Sequence, residues 1–299
     1  MGIRVSQMVK LRSIGWQWNR LRSYLGRPRM ILQTKPVVID ERDYCTAPIF
    51  IVGAHRSGTS LVRRLFNSHS AVACPPESFF IRHYAEMLVD SNVRGGYEAF
   101  GYDDEAMRLD LAHKAASLHE AYRIATGKQI WADKTPIYAL HLDVIDALFA
   151  GQARFVMVLR HPGDVVHSIF KRNWRFNAVE DGFESALAHV KETIDAMLAF
   201  EALHPDRCTR IVYCDLCDHP EPVLGATLAA LDLAFEPEML AFAEQDHNFG
   251  LEDPVVRGTR SIKANSGVWR GLTNVQKNRI RDVFGPLVDT PSYWAGEPA

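Results

Sequence analysis

The sequence predicts an α/β fold with a central parallel sheet of about five strands and helices on both faces. Three observations lead there. Short apolar runs at Ile49–Val52, Ile130–Ala132, Arg154–Leu159 and Thr209–Tyr213 alternate with stretches of helical spacing. The run before Arg160 is apolar throughout, as in strands buried on both faces of a parallel sheet. The first run passes through a glycine loop, Gly53-Ala54-His55-Arg56-Ser57-Gly58, into a helix opening at Thr59-Ser60. Such a unit gathers free N–H groups at one point and adds the positive end of the helix dipole, so it binds anions. The expected architecture is therefore three-layered and P-loop-like, with helical insertions.

The spacing of Gly53 and Gly58 is that of a nucleotide phosphate loop, but Thr59 stands where the triphosphate-binding lysine would be. The cation lies inside the loop instead, as Arg56. The loop is expected to hold an anion other than an ATP β,γ-phosphate, the bland alternative being a tight strand-to-helix turn.

Length does not decide between one large core and two modest ones in 299 residues of 47% hydrophobic composition. We expect one domain over 45–299 and a separate segment over 1–44. That segment carries Arg4, Lys10, Arg12, Arg20, Arg22, Arg27 and Arg29 before any acidic residue, interleaved with apolar residues from Val5 to Leu25. It is too interrupted for a membrane span and lacks the apolar core of a secretory signal. Two expectations stay open for it: peripheral membrane contact or an anionic partner, and a helix docked on the parent domain. The net charge of −2 argues against a nucleic-acid binder. Five irregularly spaced cysteines suggest reduced thiols in a cytoplasmic protein. Cys214-x-x-Cys217 with His219 lacks the second ligand pair that a structural zinc site needs.

Along the chain, the helix from Thr59 to about Ser68 has Leu61, Val62 and Leu65 on its inner face. Pro75-Pro76 then makes a stiff turn that holds Glu77 in place. Residues 79–128 have helical spacing, with Gly95-Gly96 as a break and Gly127 as the end, and form an insertion over the sheet's active edge. Ile130–Pro136 reads as a short strand running into a turn. The run from Arg154 ends in Arg160, at the carboxyl end of a parallel strand where such folds place ligand groups. His161-Pro162-Gly163-Asp164 turns into the next helix, with Asp164 available as its N-cap. Arg160 and Ser168 look like a second anion site, the alternative for Arg160 being a solvated strand end. Helices are expected over 183–203, after Pro222 through Leu231, and over 274–284, with an aperiodic stretch from His247 to Trp269 rich in charge and glycine.

With these pieces laid out, the sequence resembles the sulfotransferases that use 3′-phosphoadenosine 5′-phosphosulfate (PAPS). The family's R/K-S-G-T-T/S loop, which grips the 5′-phosphosulfate, is matched by Arg56-Ser57-Gly58-Thr59-Ser60. Its strand-end arginine, with a serine eight residues later on the 3′-phosphate, is matched by Arg160 and Ser168. A Tyr-x-Asp-Leu often near the adenine is matched at Tyr213–Leu216. The resemblance runs from about 48 to 284 and is closer to the tyrosylprotein and bacterial branch. There it implies that Glu77 is the catalytic base and that Lys134, in Ala-Asp-Lys-Thr-Pro, lies at the transferring sulfuryl group. Ser261 and Lys263 resemble the loop that closes over the cofactor. The chain departs from the phenol-sulfating branch at Leu61, where an adenine-stacking tryptophan would be, and it has no match for that branch's motif histidine.

The resemblance implies in-line transfer of a sulfuryl group to a hydroxyl acceptor, leaving adenosine 3′,5′-bisphosphate (PAP), with Arg56 and Lys134 as the stabilising cations and no metal required. A carbohydrate, lipid, peptide tyrosine or small molecule all remain open as acceptor. Two rival readings stand beside it: a P-loop kinase or NTPase, which the missing loop lysine opposes, and a non-catalytic nucleotide-binding scaffold.

Overall fold

The computed structural model describes residues 44–245, 247–248, 250, 257–263, 265–285 and 288. The expectations for the basic segment before residue 44 lie outside them.

Five strands form one parallel sheet in the order β2-β3-β1-β4-β5. They are β1 (Ile49–Val52), β2 (Val72–Ala73), β3 (Ile130–Lys134), β4 (Arg154–Leu159) and β5 (Cys208–Val212). The expected fold is the observed one. Strand β1 is the centre, with every residue buried. Its alternate side chains feed opposite cores. Phe50 and Val52 join Phe155, Met157, Leu159 and Val212 on one face, while Ile49 and Ile51 join Val156, Val158 and Ile211 on the other. This two-sided burial is why the run is apolar throughout.

The first face is covered by α2 (Ile81–Val89), α4 (Asp104–Ala125), α5 (Leu142–Leu148), α6 (Pro162–Lys171), α7 (Gly182–Leu203) and α10 (Asn274–Phe284). The second is covered by α1 (Thr59–Asn67), α8 (Tyr213–Asp218) and α9 (Pro220–Ala229). Phe50 alone has ring centroids of Trp131, Tyr138, Phe149 and Phe155 between 5.6 and 6.3 Å away. Among the described residues, no helix is long and apolar enough to cross a membrane.

Several local expectations are corrected. Gly95 and Gly96 do not break the helices. They lie inside α3 (Ser91–Ala99), which buries no side chain, so nothing packs where their missing side chains would be. The break is at Asp90, whose carboxylate accepts from the N–H groups of Asn92 and Val93 and starts α3. Asp164 is not the N-cap of α6. With Pro162 at the first helical position, the cap falls to His161, whose ring accepts from the Gly163 N–H at 3.1 Å. Tyr213 does not end β5 but begins α8, and Leu61 is only half-buried on α1.

The chain leaves β1 for the edge at β2, returns through β3, and crosses over β1 to β4. The direction of winding therefore reverses beside β1, and the crevice beyond its carboxyl end is where parallel α/β sheets bind ligands.

Candidate active site

All five strands deliver site residues at their carboxyl ends. Strand β1 leads into the loop 53–58, β2 into Pro75-Pro76-Glu77, β3 ends on Lys134, β4 is followed by Arg160 and β5 by Tyr213.

The loop is built close. A Cβ at Gly53 would stand 2.6 Å from the Val158 carbonyl oxygen of neighbouring β4. At Gly58 it would meet the Tyr213 ring at 2.4 Å, and φ is +110°, so glycine is required twice over. Arg56 holds φ +76° without being glycine, a strained conformation at the centre of the loop. Its Nε donates to Ser168 Oγ at 3.2 Å, and its carbonyl accepts from Arg160 at 2.9 Å. The two expected anion sites are thus joined by hydrogen bonds. Helix α1 begins without a side-chain cap or any acid in its first turn, which leaves its positive end facing the crevice.

Lys134 is fully buried, its ammonium donating to Ser60 Oγ at 3.1 Å and paired with Glu77 Oε1. The structure therefore brings Glu77, Lys134 and the loop's Ser60 together from three elements.

The C-terminal segment closes the crevice. Arg64 donates to the Thr259 carbonyl at 2.9 Å, Tyr213 to that of Lys263 at 3.2 Å, and Arg160 to that of Asn265. Asp164, 1% exposed, accepts from the Gly267 N–H at 2.8 Å and the Trp269 N–H at 3.0 Å. Trp269 in turn stacks on His161 and lies where a Cβ on Gly163 would be, 2.8 Å from its ring. Gly163-Asp164 is therefore a clamp for this segment.

The result is a cleft of about 530 Å³ lined by Arg56, Gly58, Thr59, Ser60, Arg160, Ser168, Tyr213, Ser261 and Lys263, all expected from sequence. Leu61, which stands at the adenine-stacking position of the phenol-sulfating branch, and Arg260, beside Ser261, line it as well, while Arg64, Thr259 and Asn265 line it and were missed. Arg64 was missed because a helical arginine reads as a solvated charge, whereas here it is 2% exposed with its guanidinium 4.6 Å from the Phe242 ring. Ser57 does not line the cleft. Its side chain is 1% exposed beneath the loop.

In the lining of the cleft, the buried Arg160 Nε has no hydrogen-bond partner among the described residues. A buried donor is rarely left so, and a phosphate-bearing ligand in the cleft would supply the acceptor it wants. Arg160 also lies 4.7 Å over the Tyr213 ring, which fixes the guanidinium plane. Burial pushes the Tyr213 hydroxyl up to about 12, so it stays a neutral donor.

Within the loop, His55 Nδ1 lies 3.0 Å from His189 Nε2 of α7. Burial, then the neighbouring His189, Lys134 and Arg56, push His55 down to about 3, and burial pushes His189 down to about 4. Both rings are neutral at physiological pH. His189 was not singled out from sequence, since a lone histidine in a helix gives no signal.

Known proteins resemble this chain in both sequence and fold. A putative protein-tyrosine sulfotransferase of Caenorhabditis briggsae is 24% identical over 64% of the chain and 68% of its own length. Protein-tyrosine sulfotransferase 1 of Danio rerio is 25% identical over 66% of the chain, and the match spans only 56% of that relative. The sulfotransferase domain of the Synechococcus PCC 7002 olefin synthase superposes with a TM-score of 0.58 at 19% identity, over 80% of this chain and 94% of that one. A mouse sulfotransferase, SULT7A1, solved with PAP, superposes with a TM-score of 0.52 at 12% identity, over 85% and 88%. Residues 48–237, from the strand before the loop to the far side of β5, match the pattern of the sulfotransferase family, and the chain belongs to that family.

Proposed function

We propose that the chain transfers a sulfuryl group from PAPS to a hydroxyl acceptor, with Glu77 as the base. The observation that carries this is the convergence of loop, Lys134–Glu77 pair and Arg160 at the carboxyl ends of the strands. Family membership and the PAP bound to the mouse neighbour support the donor.

The residues present fit such a donor. Arg56, Thr59, Ser60 and the first turn of α1 would hold its 5′ end. Arg160 and Ser168 would hold its 3′-phosphate, Tyr213 would lie near its adenine, and Ser261 and Lys263 would close over it. When bound, PAPS supplies a sulfuryl group already attached to a phosphate leaving group. The protein's part is placement and charge. Arg56 and Lys134 put two cations where negative charge develops, with their orientation fixed in advance by Ser168 and Ser60. Lys134 also fixes Glu77 through Oε1, and the carboxylate takes the proton of the acceptor hydroxyl, a step worth about 100- to 10,000-fold for a positioned base. The likeness to protein-tyrosine sulfotransferases favours a tyrosyl or other hydroxyl acceptor without choosing among them.

Calorimetric titration with PAP, with and without magnesium, tests this reading. Binding that is independent of magnesium is expected. Magnesium-dependent ATP binding with no PAP binding would favour a phosphotransferase instead.

A further inference from the structure

The nucleotide cleft ends at Arg56. His55, one residue earlier in the same loop, is not among the residues lining it. Its neighbours are different in kind: His189 at 3.0 Å, the Phe176 ring centroid at 4.7 Å and the Trp174 ring edge-on at 6.4 Å. Phe176 stacks on His189 with centroids 3.8 Å apart, which locks the buried member of the pair. Trp174 is 38% exposed and lies 5.8 Å from the Arg56 guanidinium. An exposed indole beside the loop's cation, and not among the residues lining the nucleotide cleft, is a surface that a flat ring can cover.

The pair is a poor base. If His55 took a proton at Nε2 and passed its Nδ1 proton on, the charge would rest on His189, which is 3% exposed beneath Phe176. If it kept the charge, the new cation would stand beside Arg56 and Lys134, both of which oppose it. What the pair offers is a neutral ring nitrogen that makes a hydrogen bond without gaining or losing a proton.

We propose that His55, oriented by His189, positions the acceptor hydroxyl, and that Trp174 takes the body of the acceptor, which carries that hydroxyl on a flat ring. The inference rests on the sulfuryl-transfer reading above. It leaves proton removal to Glu77 and makes His55 a positioning residue whose tautomer is set by a second histidine.

The test uses protein labelled in histidine, with phenol as the probe, and combines ring NMR with calorimetry. His55→Gln and His189→Gln assign the signals. Both imidazoles are expected to stay neutral on titration from pH about 7 to about 5. Phenol added to the PAP complex should move the His55 resonances. His55→Phe should weaken phenol at least about 10-fold while PAP affinity stays within about threefold, and His55→Gln should restore most of the loss, because its amide still makes a hydrogen bond. Trp174→Ala should weaken phenol to a similar extent. A histidine of the pair that titrates near its ordinary 6.5 overturns the neutral pair. Phenol affinity indifferent to residues 55 and 174, or absent from the PAP complex of the wild type, overturns the acceptor assignment. Failure of the wild type to bind PAP at all refutes the nucleotide reading instead, while the histidine titration stands apart from it.

Discussion

Glu77 is a carboxylate tied to a buried ammonium, and a substitution separates that pairing from its proposed role as base. Glu77→Gln keeps a side-chain oxygen within reach of Lys134 but takes up no proton. Turnover is expected to fall by at least about 100-fold while PAP affinity stays within a few-fold, since the proton is lost only in the transition state. A variant that keeps near wild-type turnover would remove Glu77 from the role of base. The histidine pair makes a second, thermodynamic prediction. Unfolded, both rings titrate near 6.5, and folded, near 3 for His55 and 4 for His189. Between those values the unfolded chain binds more protons. The stability held above pH 6.5 is therefore lost as pH falls through the window toward the folded values. Denaturant midpoints of wild type should drop more steeply between pH about 7 and about 5 than those of His189→Gln. Parallel slopes would mean that the rings are not buried and neutral.

At the scale of elements, glycine and aspartate do work that composition hides. Gly58→Ala must place a methyl group into the Tyr213 ring at a φ of +110°, so the loop and the start of α8 have to move apart. Strain of this kind costs on the order of 1–3 kcal/mol, and PAP binding should fall with it. Asp164→Ala strands the Gly267 and Trp269 N–H groups. Each lost bond to a charged acceptor is worth roughly 1.5–3 kcal/mol, and hydrogen exchange over 257–271 should rise while β1 and β4 stay protected. Exchange that is unchanged there would show that the segment is held by something else.

How legible these features were follows from the same physics. Strands β1 and β4 could be read because burial makes them continuous apolar runs, and β3 and β5 from shorter apolar stretches at Ile130–Ala132 and Ile211–Val212. Strand β2 is only Val72–Ala73 and has no room for a pattern. Gly53, Arg56, Gly58 and Arg160 were visible because a phosphate loop and a charged strand end are local signals. The Asp164 clamp, the buried Arg64 and the His55–His189 pair were not, because each joins residues far apart in the chain. In Asp164 the local rule misled: an acid just after proline reads as a cap, while its partners lie more than 100 residues on.

At the scale of the whole molecule, the cleft is a junction where β1, β4, β5 and the C-terminal segment meet, and a ligand in it stabilises the protein as a unit. A ligand at 100 times its dissociation constant adds about 2.7 kcal/mol to stability. For a domain of this size that corresponds to roughly 5–10 °C in melting temperature. PAP should produce such a shift, and adenosine 5′-phosphosulfate, which lacks the 3′-phosphate, a smaller one. The difference is predicted to reside in Arg160. Its guanidinium is fixed by the Tyr213 ring and the Arg56 carbonyl, and its Nε is a buried donor that a phosphate oxygen would satisfy. Arg160→Ala should therefore abolish most of the PAP shift, leave that of adenosine 5′-phosphosulfate little changed, and bring the two ligands together. If the variant loses both shifts equally, Arg160 supports the loop through the Arg56 carbonyl and does not read the 3′-phosphate. Arg160→Lys refines the test, because lysine keeps the charge but not the planar fork. It should recover only a small part of the PAP shift if bidentate geometry is what the site recognises, and most of it if charge alone suffices.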